Sequence, residues 1–110
     1  MAVDELTKNV TDYAAMATSA HKACSLLKGL AHESRLMILC MLTEGEKSVS
    51  ELEAFLELRQ PTVSQQLARL RADNLVTTRR DGKTIYYALA GKESMAIINV
   101  LYLLYCKDEE

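Results

Sequence analysis

With 110 residues the chain fits one domain, since compact domains cluster near ~100–150 residues. A formal net charge of −2 argues against a protein that coats nucleic acid without selectivity. A membrane span is not predicted either, because the longest apolar run, near residues 95–106, is interrupted by Asn99 and falls short of the ~18–20 residues required. Asp4 and Glu5 stand where a signal peptide carries positive charge, so we expect a cytoplasmic protein.

Two amphipathic helices are predicted in the first part of the chain. Between about Thr7 and Leu27, apolar and small residues recur at helical spacings, which is typical of a helix with one apolar face. Gly29 is predicted to stop this helix, because glycine is favoured just after a helix end. The stretch AHESRLMILCML, residues 31–42, predicts a second helix, which ends at the loop TEGEK.

The next two predicted helices lie close together. Residues 48–51 (SVSE) match a capping box, so a short third helix is expected to run to about Leu56. Gln60-Pro61 marks the start of a fourth helix, because proline at a first helical position loses no intrahelical hydrogen bond. This helix is expected to end near Asp73, with Asn74 in the left-handed conformation. The short connection between the two helices is typical of a helix-turn-helix.

A β-hairpin and a final helix complete the predicted order. The stretches LVTTRR and KTIYYALA are rich in β-branched and aromatic residues, and Asp81-Gly82 between them favours a type I′ turn. From Lys92 to about Lys107 the fifth helix is apolar around nearly its whole circumference, so we expect a second subunit to cover one face. The fold class is thus mainly α with a small β-hairpin, a dimeric winged helix-turn-helix (α-α-α-α-β-β-α). We expect residues 1–110 to be a single domain with N- and C-terminal dimerisation helices.

One segment of this acidic chain is electropositive and carries the predicted DNA-binding residues. Residues 59–83 hold six basic and two acidic side chains. In the fourth helix Val63, Leu67 and Leu70 are expected to pack inward and to leave a polar, amide-rich face outside, which suits the major groove. Basic residues beside the hairpin tip are placed to reach the DNA backbone or minor groove. The predicted DNA-binding residues are Gln60, Thr62, Ser64, Gln65, Gln66, Arg69, Arg79, Arg80 and Lys83.

From Leu27 to Ala90 the sequence resembles the ArsR-type (ArsR/SmtB) family of small bacterial repressors. The resemblance lies in LAHESRLMIL, QPTVSQQLARLRADNLV and RRDGKTIYYAL, and it extends over essentially the whole chain. It implies a homodimer held by the first and last helices and bound to an imperfect palindrome in double-stranded operator DNA. It also implies an inducer that lowers the affinity for that DNA.

Many members of the family sense metals, but the familiar metal ligands are not found here. The thiol-rich stretch of the family's third helix corresponds to SELEAFLE, which has no cysteine. The last helix, KESMAIINVLYLLYC, has no histidine and no aspartate before Asp108, and neither His21 nor His32 is near either position. Since soft metals require clusters of thiolate or imidazole, no metal site and no cofactor are predicted.

Two cysteines match a different branch of the family. Cys40 on the second helix and Cys106 at the end of the last resemble the cysteine pair of the sulfide-responsive SqrR/BigR-like branch, which includes HlyU-like regulators. The resemblance implies that persulfide or disulfide chemistry links the two, with low-molecular-weight persulfides or related oxidants as inducer, and that the repressor then releases DNA. Tyr102 and Tyr105 are candidates for lining the thiol pocket, and Cys24 matches neither position.

Several alternatives stay open from the residues alone. Cys40 is also explained as a small buried core residue, since free cysteine is among the most buried residue types. The same thiols suit a general oxidant sensor that responds to peroxide by forming a disulfide. Two further interpretations are a metal-responsive repressor and a winged-helix module that binds another protein instead of DNA. An enzyme is not predicted, because no motif places a histidine or carboxylate beside a cysteine as its base.

Overall fold

A computed structural model describes residues 12–57 and 60–107. Its elements follow the predicted order with one added strand, β1, and the observed fold is mainly helical with a small antiparallel sheet. No helix within the described ranges is both long and apolar enough to cross a membrane. The elements are α1 (Tyr13–Leu30), α2 (Glu33–Leu42), β1 (Lys47–Ser48), α3 (Val49–Leu56), α4 (Gln60–Ala72), β2 (Val76–Asp81), β3 (Thr84–Leu89) and α5 (Lys92–Tyr105).

Helix α1 extends past its predicted C-terminal end. Asp12 caps its start, since the side chain accepts from the Ala15 backbone N–H at 3.1 Å; the predicted start near Thr7 lies outside the described residues. Gly29 lies within the helix, which continues to Leu30, so the prediction of a stop at Gly29 is wrong. A Cβ atom at Gly29 would lie 2.5 Å from Cδ1 of the buried Leu75. Glycine is thus needed there for close packing.

The signals around the helix-turn-helix are confirmed. The Ser48 hydroxyl accepts from the Glu51 N–H at 3.2 Å, and the Glu51 carboxylate accepts from the Ser48 N–H at 2.9 Å, which forms the capping box. Asn74, after α4, has a φ of 61°, as predicted. Glu57, after α3, also adopts the left-handed conformation, with a φ of 55° that favours glycine.

Replacing Glu57 with glycine should raise the free energy of unfolding by about 0.5–1 kcal/mol, because a left-handed residue with a Cβ is strained and glycine is not. Glu57 is exposed, so little side-chain packing is lost. The matched control is Ala54→Gly at an exposed position inside α3, which should lower the free energy of unfolding by about 1 kcal/mol. Urea unfolding measures both, and a destabilising Glu57→Gly change would contradict the prediction.

The sheet has the strand order β1-β3-β2. Strand β1, which the sequence analysis missed, pairs antiparallel with β3 and places Lys47 opposite Tyr87. In the hairpin Asp81 lies opposite Thr84, so the loop is Gly82-Lys83 and the prediction of Asp81-Gly82 as the loop is wrong. Only Gly82 of this loop has a positive φ, 65°, which is typical of a type II′ turn rather than the predicted type I′ turn.

The core lies where α2, α3 and α4 meet the sheet. Val63, Leu67 and Leu70 are fully buried, as predicted, so the inner face of α4 is fixed by packing. On α1 and α5, by contrast, large apolar side chains stay exposed in the single chain. The exposed ones are Tyr13, Leu27, Val100, Tyr102, Leu103, Leu104 and Tyr105.

Candidate DNA-binding surface and thiol groove

The outer face of α4 presents the polar residues that the sequence analysis singled out. Ser64, Gln65 and Arg69 are exposed, and Thr62 and Gln66 are half-buried. The side chain of Gln60 lies outside the described part of the chain. Because the apolar face of α4 is locked into the core, these side chains are held on one side of the domain.

Gln66 is held by a buried arginine that the sequence analysis missed. The Nη1 of Arg35, on α2, donates to Gln66 Oε1 at 3.0 Å. The same guanidinium donates from Nε to the Gly29 carbonyl at 2.8 Å and from Nη2 to the Lys28 carbonyl at 3.2 Å. The only signal in the sequence was one charged residue in the apolar stretch RLMILCML. Arg35 thus connects the end of α1 with the outer part of α4.

Arg69, further along α4, forms an ion pair within its own helix. Its Nε lies 3.0 Å from Asp73 Oδ2, and both side chains have solvent access. Exposed pairs of this kind contribute little to stability, so the guanidinium can exchange this partner for a phosphate at small cost.

The wing contains one anchored basic residue and two that extend into solvent. Arg79 donates to both carboxylate oxygens of Glu46, with 3.2 Å between Nε and Oε2, and its guanidinium lies 4.9 Å from the centroid of the Tyr86 ring. The hydrogen bond from Arg79 lowers the pKa of Glu46, so the pair is charged at neutral pH. Arg80 and Lys83 are exposed, and neither forms an ion pair with any described residue. Arg79 therefore ties the wing to the loop after α2.

Cys40 and Cys106 line one groove of about 620 Å³ between α2 and α5. Both thiols are free and exposed in the single chain, so Cys40 is not filling the core. Cys24 is also free and exposed, but it lies on α1 and not in this groove. The groove is lined by Leu36, Cys40, Thr43, Glu44, Ile98, Asn99, Leu101, Tyr102, Tyr105 and Cys106. The structure thus brings together the cysteine pair and the two tyrosines named in the sequence analysis.

The groove perturbs the Cys40 thiol. The pKa of Cys40 is raised, first because the groove limits hydration of the thiolate and second because a thiolate at Cys106 would repel it. Although the side chain has exposed surface, it opens into a groove with apolar walls, which accounts for the incomplete hydration. Cys40 is therefore protonated at neutral pH.

Changing Cys106 to serine should shift the alkylation pH profile of Cys40 to lower pH while leaving its midpoint above that of an ordinary thiol. The serine removes the repulsion between thiolates, but the groove still limits hydration, which is the larger cause of the raised pKa. Alkylation at a series of pH values, followed by mass spectrometry of the Cys40 peptide, measures the midpoint, and the exposed Cys24 is the internal control. An unchanged or higher midpoint would show that Cys106 does not act on Cys40.

Comparison with known proteins agrees with this geometry. Residues 32–78 match the family model "Bacterial regulatory protein, arsR family". The biofilm growth-associated repressor of Agrobacterium fabrum is 50% identical over 87% of this chain and 82% of its own. Among solved structures, reduced HlyU from Vibrio cholerae is 49% identical, with a TM-score of 0.81 over 84% of this chain and 97% of that one. The repressor BigR from Xylella fastidiosa is 45% identical, with a TM-score of 0.79, and the match covers 83% of this chain and 93% of BigR.

These relatives are regulators, and the two solved structures superpose on 84% and 83% of this chain. In this chain the helix-turn-helix formed by α3 and α4 is followed by the β2–β3 wing, and no three histidine, cysteine, aspartate or glutamate side chains within the described ranges form a cluster that could hold a metal ion. The chain belongs to the ArsR family of winged helix-turn-helix, DNA-binding transcriptional regulators, which are not enzymes.

Proposed function

We propose that this protein is a homodimeric repressor that binds an imperfect palindrome in operator DNA and releases it when persulfides link Cys40 to Cys106. The observation that carries the proposal is the shared groove, whose walls hold one thiol on α2 and the other at the end of α5. The relatives from Agrobacterium fabrum and Xylella fastidiosa are repressors, which supports the same role here.

The exposed apolar faces of α1 and α5 support the dimer. Leu103, Leu104 and Tyr105 are 56%, 68% and 71% exposed in the single chain, and Leu27 of α1 is 52% exposed. So much apolar surface on two helices at the ends of one domain is typical of a subunit interface. In a two-fold dimer the two copies of α4 must lie about 34–36 Å apart to enter successive major grooves. The interface therefore sets the spacing of the DNA-reading helices.

The proposed linkage consumes one persulfide, RSSH, in two exchange steps. A thiolate at Cys106 attacks the outer sulfur of RSSH, so Cys106 becomes a persulfide and RS⁻ leaves and is protonated. We assign the first attack to Cys106 because the raised pKa of Cys40 makes Cys40 a poor source of thiolate at neutral pH. Cys40 then loses its proton and attacks the inner sulfur of that persulfide, which forms a disulfide and releases hydrogen sulfide. The two protein thiols are oxidised, and the transferred sulfur is reduced.

If both cysteines are persulfidated before a disulfide forms between them, condensation of the two persulfides also releases hydrogen sulfide and leaves a trisulfide. This bridge is longer than a disulfide, which requires Cα atoms within about 4.4–6.8 Å. The two products therefore need different separations of α2 and α5. In both cases the oxidant is the inducer itself.

A bond between Cys40 and Cys106 would affect DNA binding through the packing of α2 against α4. The ten-residue helix α2 carries Cys40 near its end and packs against α4, and its Ile38 and Leu39 are buried in the same core as the inner face of α4. A bridge from Cys40 to α5 would thus couple the α4 position to the helix that we assign to the dimer interface. A coupling free energy of about 1–3 kcal/mol would lower operator affinity roughly 5- to 150-fold without refolding.

The test is operator binding by the reduced protein before and after treatment with a persulfide donor, hydrogen peroxide or sulfide alone. We expect salt-dependent binding to a palindromic duplex, loss of binding after the persulfide donor, and no loss after sulfide, which cannot oxidise thiols. Equal release by peroxide would instead identify a general thiol oxidant sensor. Failure to bind any palindromic duplex would overturn the proposal and favour a protein-interaction module.

A further inference from the structure

Arg35 is a buried cation whose described partners are all neutral. Its three hydrogen bonds end on the backbone carbonyls of Gly29 and Lys28 and on the side-chain amide of Gln66, and no described carboxylate forms a salt bridge with it. Burying a charge without a counter-charge is costly, so this arrangement requires several well-oriented acceptors around the guanidinium. Gln66 supplies the only side-chain acceptor among these partners, and it lies on the DNA-facing helix.

This contact fixes which end of the Gln66 amide faces outward. A guanidinium has only donors, so the atom that faces Arg35 must be the amide oxygen and cannot be the nitrogen. The nitrogen, Nε2, donates to no acceptor among the described residues, and no buried side-chain donor of the described part is left without a partner. Nε2 is therefore not fully buried, and on the half-buried Gln66 it is open to donate to an acceptor outside the described residues.

The neighbouring Gln65 differs in this respect. Gln65 is exposed, and its side chain forms no hydrogen bond with a described residue, so its amide can rotate. A free glutamine can pair with adenine by donating to N7 and accepting from N6 at the same time. Gln66 is poorly suited to that pairing, because its oxygen points toward Arg35.

We propose that Arg35 is a positioning residue that makes Gln66 a donor-only contact for a hydrogen-bond acceptor on the operator. The acceptor is a guanine O6 or N7, a thymine O4, or a phosphate oxygen, since all of them accept and none donates. The inference rests on the proposal that α4 reads operator DNA. When the acceptor belongs to a base, this positioning adds a sequence preference at one position of each half-site that Gln66 with a freely rotating amide would not impose.

Selection of operator sequences from a randomised half-site distinguishes the contact made by Gln66 from the positioning effect of Arg35. If Gln66 contacts a base, the wild-type protein should prefer guanine to adenine at that position, because guanine offers two acceptors, O6 and N7, and adenine offers only N7. Gln66→Met removes both N–H groups and should lower affinity for the preferred site by about tenfold or more. Arg35→Met leaves the Gln66 amide free to rotate and should make adenine acceptable at that same position, an effect that a merely structural role would not produce. Gln65→Met is the matched control and should change a different position.

Modified operators distinguish the two sources of the acceptor and do not depend on an Arg35 variant. If the contact is to a guanine base, 7-deazaguanine at that position should weaken wild-type binding and leave Gln66→Met binding unchanged. If the contact is to a phosphate, one methylphosphonate substitution should have this effect, and no base preference should depend on Gln66. These operators decide the matter even if Arg35→Met fails to fold.

The inference is overturned if Gln66→Met binds with unchanged affinity and unchanged preferences, or if the wild-type protein selects adenine at a position where Gln66→Met loses that preference. Either result would leave operator binding itself intact. Failure of the wild-type protein to bind any palindromic duplex is the different result that overturns the proposed function, so the two failures can be told apart.

Discussion

A Cys40→Ser protein should bind its operator as tightly as the wild type and should no longer be released by a persulfide donor. Under the same treatment we expect the affinity of the wild-type protein to fall about 5- to 150-fold. The serine keeps the size of the side chain but cannot form a bond to sulfur, so the bridge to Cys106 is lost. Titration of labelled operator with treated and untreated protein measures the change.

Cys106→Ser should have the same effect on release, because the bridge requires both sulfurs. Cys24→Ser is the matched control, since Cys24 is also exposed but does not line the groove. This variant should be released like the wild type. Release of Cys40→Ser by the persulfide donor, or loss of release in Cys24→Ser, would place the responsive thiol elsewhere.

Replacing both Arg80 and Lys83 with alanine should weaken operator binding by at least about a hundredfold at low salt. These residues extend from the wing without an ion pair among the described residues, so both are available for phosphate. Each phosphate contact changes the slope of log affinity against log salt concentration by about 0.9, and a dimer has two wings, so we expect the slope to fall by roughly 3–4. Binding measured over a range of salt concentrations gives this slope.

Lys92→Ala is the matched control for the wing. Lys92 is exposed and lies beyond β3, at the end of the hairpin away from its tip, so its removal lowers the net charge by one unit per chain, half the change in the double wing variant, without removing a wing contact. The slope of log affinity against log salt concentration should be the same for Lys92→Ala as for the wild type. If the wing variant and the control have the same slope, the wing does not contact phosphate.

The fold was predictable wherever one residue type decides the local geometry. The capping box of Ser48 and Glu51 and the left-handed Asn74 involve neighbours in sequence, and the structure confirms them. The inward face of α4 followed from helical periodicity, and Leu67 is fully buried as expected. Each of these features depends on residues within a turn or two of the chain, which is the range over which a sequence pattern carries information.

Features that depend on distant contacts were missed or wrong. Strand β1 exists because Lys47 meets Tyr87 on β3, and two residues alone carry no strand signal. Gly29 looks like a helix stop, but its role is set by Leu75, which packs against it from another part of the fold. In the hairpin the cross-strand pairing of Asp81 moves the loop by one residue, and a turn motif by itself does not determine register.

The same difference between local and distant contacts decides which features of the candidate site could be predicted. Polar residues on α4 could be named from periodicity, but the partner of Gln66 is Arg35, which is 31 residues away. Arg79 could be predicted as one of three equivalent wing charges, whereas its ion pair with Glu46, 33 residues away, distinguishes it from Arg80. For the cysteines the family resemblance suggested the pair, and the arrangement of α2 and α5 places both on one groove.

The most direct test of the account follows Cys40–Cys106 linkage and operator binding in the same samples as a persulfide donor is added. Mass spectrometry of the denatured chain and of its cysteine peptides measures the linked fraction, and titration with operator measures the fraction that still binds. We predict that binding falls in proportion to the linked fraction. Full linkage with undiminished operator binding, or lost binding while both thiols stay free, would contradict the account.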